Sequence, residues 1–289
     1  MTMSYRSDPP APFECLLRLV LTAGVLIGVP RVAAAHDFWL VPIAFHVAPG
    51  DTLRVLGQTG MAFPSSVAAV DPARVADARI LDAERQVVLD DLTIRDSSLV
   101  LRHVPRAAGQ RIVALRTKWR HVPESAESFM RYLDLEGAGT LRERYLHEGL
   151  LPSDSLVRRY AKYAKALIEV GSGPRAFDAI AGHPLEFVHL DDPSAAGRGD
   201  SLRLRLLFRN APLAEAIVYA GAAPARDGEN ESHTQLVTNA RGEVSIPITR
   251  EAIWNFRSLH IVPSDAGEDA DWDVHWVSAV FSVLAKTIK

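Results

Sequence analysis

Between residues 38 and 115 the chain alternates apolar and polar positions in short runs divided by turn residues. Thr52-Leu53-Arg54-Val55-Leu56, Ala78-Arg79-Ile80-Leu81, Gln86-Val87-Val88-Leu89 and Arg111-Ile112-Val113-Ala114-Leu115 each bury one face at period two, and Pro49-Gly50-Asp51 supplies a turn between strands. Residues 36–122 are therefore expected to form an antiparallel β-domain. After Pro123 the period changes. Ser125 is placed to cap a helix, with Ser128 three residues on and Phe129, Tyr132 and Leu133 at helical spacing. A second, stronger helix is expected to open at Pro152-Ser153-Asp154, carry Leu156, Tyr160, Tyr163, Leu167 and Val170 as its stripe, and end at Gly171-Ser172-Gly173-Pro174. Arg158, Arg159, Lys162 and Lys165 would then be its solvated face. Residues 123–182 thus read as a short helical connection and linker.

Strands resume at Leu185-Glu186-Phe187-Val188. Runs at 201–208, 217–219, 234–238, 244–246, 254–262 and 274–284 follow, separated by turns such as Asn239-Ala240-Arg241-Gly242. This spacing predicts an immunoglobulin-like or transthyretin-like β-sandwich over residues 183–289. The fold class is mainly β.

The first 35 residues are patterned differently. Arg6 and Arg18 precede an apolar run at 19–29, long enough for a secretory core and too short to span a bilayer comfortably. Pro30 ends that run, and Ala33-Ala34-Ala35 reads as a signal-peptidase site. Residues 1–35 are expected to be a signal peptide, with a periplasmic or secreted product and no stable membrane anchor. The only cysteine, Cys15, falls within the leader, so no disulfide is expected in the mature chain. A formal net charge of −3, spread without basic runs, gives no footprint for nucleic acid. No glycine-rich segment runs into Lys-Ser or Lys-Thr, so no nucleotide is expected. His-Glu-x-x-His, Gly-x-Ser-x-Gly and a mature cysteine nucleophile are all missing, which points away from an enzyme.

Cleavage after Ala35 would make His36 the first residue. Its freed α-amine and its imidazole can then close a chelate on one metal ion. Without cysteine, a transition-metal site must draw on imidazole, carboxylate or the amino terminus, a set that suits Ni(II), Co(II) or Cu(II). His260 is the next candidate, at the end of a strand beside the acidic loop at 265–273. His275 follows, because Asp271 and Asp273 stand close enough in sequence to act as ligands or to orient its ring. The blander account makes His36 the first polar residue after a leader, and His260 and His275 ordinary rim or surface histidines. His46, ten residues after His36, ranks below His260.

Together these pieces resemble an exported bacterial family, the "domain of unknown function 4198" family. The resemblance covers nearly the whole mature chain. It rests on His36-Asp37-Phe38-Trp39-Leu40 with Pro42, Pro49-Gly50-Asp51, and the 160–167 segment Tyr160-Ala161-Lys162-Tyr163-Ala164-Lys165-Ala166-Leu167. Further on it rests on Pro184-Leu185-Glu186-Phe187-Val188, Gly199-Asp200, Leu206-Leu207-Phe208, Leu259-His260-Ile261, Asp271-Trp272-Asp273 and Trp276. Such proteins are often labelled periplasmic components of nickel or cobalt uptake, which implies an inner-membrane metal transporter as partner. One departure stands out: members often carry a histidine before a Phe-Pro pair, whereas this chain reads Gly57-Gln58-Thr59-Gly60-Met61-Ala62-Phe63-Pro64.

Three functions are consistent with these residues. The first is an exported metal-binding protein for nickel, cobalt or copper uptake or handling. The alternative is a non-enzymatic periplasmic peptide- or glycan-binding adhesion module, with Trp39, Trp254, Trp272 and Trp276 as its surface. A copper redox enzyme built on an amino-terminal histidine brace comes last, because the expected helices and two-domain layout do not resemble such enzymes.

Overall fold

The computed structural model describes residues 36–150, 154–223 and 232–283. The leader expected over residues 1–35 lies outside them, and the compact unit begins at His36. The chain first runs β1 (Asp37–Pro42), β2 (His46–Val47), β3 (Leu53–Gly60), β4 (Ala68–Ala69), β5 (Val75–Leu81), β6 (Gln86–Val88), β7 (Leu92–Arg95), β8 (Ser98–His103), β9 (Gly109–Thr117) and β10 (Arg120–Ser125). Helices α1 (Ala126–Leu135) and α2 (Gly139–His147) follow. Then come β11 (Ser155–Val170), β12 (Leu185–His189), β13 (Ser201–Phe208), β14 (Ala211–Pro212), β15 (Ile217–Ala222), β16 (Ser232–Val237), β17 (Glu243–Pro247), β18 (Ala252–Pro263) and β19 (Trp272–Val283).

Among the described residues the strands form three sheets. A ten-stranded sheet has the order β16-β15-β18-β19-β11-β9-β5-β6, with β10 and β2 also on β11. A five-stranded sheet, β1-β3-β8-β7 with β4 on β3, covers one side. A four-stranded sheet, β12-β13-β14 with β17 on β13, covers the other. The two cores show this layering in their residue parity. Ile112, Ala114, Ala161, Tyr163, Val277 and Ala279 belong to the core that also holds Phe187 and Leu204, whereas Val113, Leu115, Ala164, Ala166 and Val280 belong to the core of Trp39, Leu53 and Leu99. Successive residues on a strand point to opposite faces, so each shared strand contributes to both cores. The architecture is mainly β and sandwich-like, as the alternation predicts.

The helix expected over 156–170 is not formed. That stretch is β11, a 16-residue strand. It pairs in parallel with β19 from Arg158↔Trp272 to Ala166↔Val280, and antiparallel with β10 and β9 on its other edge. A strand covered on both faces shows no alternation, and the Ala, Lys, Leu and Glu that fill this one are helix formers in isolation. Tertiary packing overrides that preference: alanines at 164 and 166 fill the narrow layer beneath β1. The expected solvated face is overturned with it. Arg158 is 6% exposed and Lys165 2%. Arg158 bonds Glu124 at 2.6 Å and stands over the Tyr132 ring, and Lys165 bonds Glu186 at 2.7 Å.

The first expected helix is present. Ser125 Oγ accepts the Ser128 amide at 3.1 Å, capping α1, and Phe129, Tyr132 and Leu133 are its buried side. Helix α2 is an addition to that expectation. Its Tyr145 packs on Trp272 at 4.4 Å and donates to the Ile261 carbonyl at 2.9 Å, tying the helical connection to the ends of β18 and β19.

Candidate functional site

Strand register places the sequence candidates on two faces of the ten-stranded sheet. His36 stands immediately before β1, partly buried. Its carbonyl accepts from Lys162 Nζ, and the next residue, Asp37, forms a buried ion pair with Arg257. Lys162 is the register partner of Trp276, and Arg257 that of Ser278, whose hydroxyl donates to the Phe38 carbonyl at 2.6 Å. Lys162, Trp276, Ser278 and Arg257 therefore share one face. Glu136, at the end of α1, lines a small hollow with Asp37, Arg257 and Trp276 on that face. Burial, and then the charge of Asp37, push the Glu136 carboxyl up to about 7. Burial likewise pulls the Lys162 ammonium down to about 8. His233 on β16 joins this corner, close enough to Arg257 and Asp37 for both charges to act on its imidazole.

His260 and His275 are direct cross-strand partners of β18 and β19. They lie on the opposite face, with Tyr163. The Phe208 ring stands edge-on to both imidazoles, at 4.5 Å from His260 and 5.0 Å from His275. His260 opens toward a cavity of about 480 Å³ between the α1–α2 junction and β15. His275 opens toward a different cleft, of about 370 Å³. The expected meeting of His36 with His260 or His275 is therefore not found.

The two aspartates have other roles. Asp273 takes both arms of Arg159, at 2.6 and 2.8 Å. Asp271 accepts the Val157 amide at 2.6 Å and pins the start of β11. Among the described residues no group of three or more His, Cys, Asp or Glu side chains is arranged to hold a metal ion. Charge disfavours a cation in the His275 cleft: the guanidinium groups of Arg116, Arg159 and Arg209 outnumber the carboxylates of Asp265 and Asp273 there.

That cleft is built from distant segments. Tyr163 Oη and His275 Nδ1 are 2.9 Å apart, and the Tyr163 ring lies between those of His275 and His183, at 5.9 and 5.6 Å. Trp119 meets the His275 ring edge at 5.2 Å and carries the Arg159 guanidinium at 4.4 Å. Asp265 bridges Arg159 at 3.0 Å and Arg209 at 2.8 Å. Burial pushes the His183 and His275 imidazoles down to about 4, so both are neutral near pH 7. Arg209 and Asn210 make the two-residue turn from β13 to β14 with φ of 51° and 65°. Such turns favour Asn or Gly, and a left-handed arginine costs roughly 1–3 kcal/mol. The strained residue is the one whose side chain reaches Asp265 over the Phe208 ring.

A family model described as "Domain of unknown function (DUF4198)" matches residues 33–262. The chain belongs to the DUF4198 family. The match includes His36, His183, His233 and His260 but stops before Asp271, Asp273 and His275. No curated protein matches this DUF4198 chain. Among solved structures it is similar to the D0-D1 domain of intimin, at 10% identity and TM-score 0.22 over 86% of this chain and 98% of that one. It is also similar to trypsin-activated α2-macroglobulin from Escherichia coli, at 9% identity and TM-score 0.22 over 86% of this chain and 15% of that one. A tetra-tandem repeat from the extending region of a large adhesion protein gives 10% identity and TM-score 0.21 over 86% and 49%. Likenesses at this level carry no functional weight.

Several residues of the DUF4198 protein that face these sites have no signature in the sequence. His183, Arg116 and Tyr163 come together only because β9, β11 and the 182–184 segment meet at one end of the sandwich. Glu136 and His233 are 97 residues apart in the numbering yet both face the His36 corner. The tryptophans at 39, 254, 272 and 276 are all buried, between 1% and 7% exposed, and belong to the interior.

Proposed function

We propose that the protein is an exported metal-binding protein that holds Ni(II), Co(II) or Cu(II) at its own amino terminus. Cleavage after Ala35 frees the amine, and His36 then offers two nitrogens from one residue. The observation that carries this reading is the coincidence of the cleavage signal with the start of the folded unit at His36, where Lys162 holds the residue's carbonyl. The two nitrogens of His36 suit the preference of these ions for nitrogen donors, and because no group of three His, Cys, Asp or Glu side chains among the described residues is arranged there, the chelate of His36 itself carries the site. Glu136, in the hollow with Asp37, adds negative charge to the same face. Its carboxyl, pushed up by burial and by Asp37, ionises more readily once a positive charge arrives, so binding releases a proton. Delivery to an inner-membrane metal transporter in nickel or cobalt uptake is the role this chemistry serves.

Isothermal titration tests the reading with two forms of the protein, one beginning at His36 and one with a single alanine placed before it. The first is expected to bind one ion, and the second to bind it at least about tenfold more weakly, because the peptide nitrogen no longer donates as an amine. Equal binding by both forms removes the amine from the site.

A further inference from the structure

We propose that the cleft between the Arg209–Asn210 turn and β19 binds a small carboxylate anion, gripped by Arg116 and by the buried imidazoles of His183 and His275. This site is on the other face of the sheet from His36 and does not depend on metal binding.

Three observations converge on it. His183 is 4% exposed, lines the cleft, and neither of its ring nitrogens has a hydrogen-bond partner among the described residues. His275 is 2% exposed and its Nε2 is equally unpartnered, its Nδ1 being engaged with Tyr163. Buried polar atoms are rarely left without a partner, and three such nitrogens around one cleft mark a place where a ligand supplies what the protein does not. The second observation concerns charge. Arg159 and Arg209 are matched by Asp273 and Asp265, whereas Arg116 has no carboxylate partner among the described residues and its Nε is buried without a bond. Three guanidinium groups thus face two carboxylates, and the cleft lacks one negative charge. The third is the left-handed backbone at Arg209, which holds a charged side chain at the rim where asparagine or glycine would relieve the strain.

The class of anion follows from these features. A single uncompensated charge matches a monoanion better than a phosphate or sulfate dianion. The planar fork of Arg116 matches a carboxylate through two parallel N–H bonds. Both imidazoles are neutral, and each presents at most one N–H donor, with His275 donating from Nε2 when Tyr163 donates to Nδ1. A volume of about 370 Å³ admits a small organic acid.

The test is an NMR titration of the mature protein, labelled at histidine, with acetate, glycolate and benzoate as probes and with phosphate and sulfate as comparison anions. At least one carboxylate is expected to give saturable shifts of both the His183 and His275 imidazoles. Arg116→Gln is expected to lower that affinity at least about tenfold, and Arg116→Lys, which keeps the charge and loses the fork, to lower it as well. The titration of the unaltered protein stands even if a variant misfolds. Absence of saturable shifts with all three carboxylates overturns the proposal. So does tighter binding of phosphate or sulfate than of any carboxylate, or retention of full affinity by a folded Arg116→Gln protein.

Discussion

Replacing Lys165 by methionine keeps the length of the side chain and deletes a charge from a place that water does not reach. Lys165 is 2% exposed and its partner Glu186 1%. The ammonium donates to Glu186 at 2.7 Å and to the carbonyls of Ala179 and Phe187 at 2.8 and 3.1 Å. Glu186 also accepts the amides of Ala181, Gly182 and His183. Burial would raise the Glu186 carboxyl, but Lys165 and the amides more than offset it and hold it below its ordinary value. Breaking a buried pair by removing one partner costs about 3–5 kcal/mol, a large part of the roughly 5–15 kcal/mol that stabilises a domain.

The pH dependence supplies a second signature. A carboxyl depressed in the folded state contributes stability above its unfolded pKa, and that stability is lost as pH falls through the folded value. Without Lys165, burial dominates and the sign reverses: the folded carboxyl then holds its proton more tightly than the unfolded one, so the variant loses stability as pH rises. Urea unfolding at pH 7 should therefore show the full deficit, and at pH 5 a deficit smaller by about 1 kcal/mol or more. A deficit below about 1 kcal/mol at pH 7, or one that is the same at both pH values, would refute the argument.

Two smaller perturbations probe local structure. Ser125→Ala removes the α1 cap and should lower stability by about 1 kcal/mol in the same urea assay, with loss of helical signal in circular dichroism as the connection frays. Gly242→Ala places a Cβ 2.7 Å from the Leu206 carbonyl oxygen and 2.9 Å from the Leu213 nitrogen at a φ of 70°. It should cost at least about 1–3 kcal/mol and lower the thermal midpoint, whereas Gly199→Ala, at a φ of 96° with open space around it, pays only the backbone strain.

The alternating strands of the amino-terminal half and the cap at Ser125 were legible because both are local devices. A period of two reports a half-covered sheet, and a serine three residues before an amide reports a helix start. β11 was not legible, since covering both its faces erased the period and left helix-forming residues in the interior. Its charges misled for the same reason. Arg158, Arg159 and Lys165 answer to Glu124, Asp273 and Glu186, and no local pattern encodes partners so far along the chain. At the sites, His260 and His275 stood out by their nearness to acidic residues. Their pairing depends on the β18–β19 register, and the arginines around His275 reverse the meaning of those aspartates. His183 has no acidic neighbour before Glu186, and nothing in its surroundings marks it until the sandwich closes over it.

The parallel junction of β11 with β19 also orders events in time. β19 is the last strand in chain order among the described residues, yet it lies between β18 and β11 in the middle of the sheet. The two halves of the ten-stranded sheet cannot join until β19 has been made, and ladders that join such distant positions form slowly. Until β19 docks, the edge of β11 that it covers stays open.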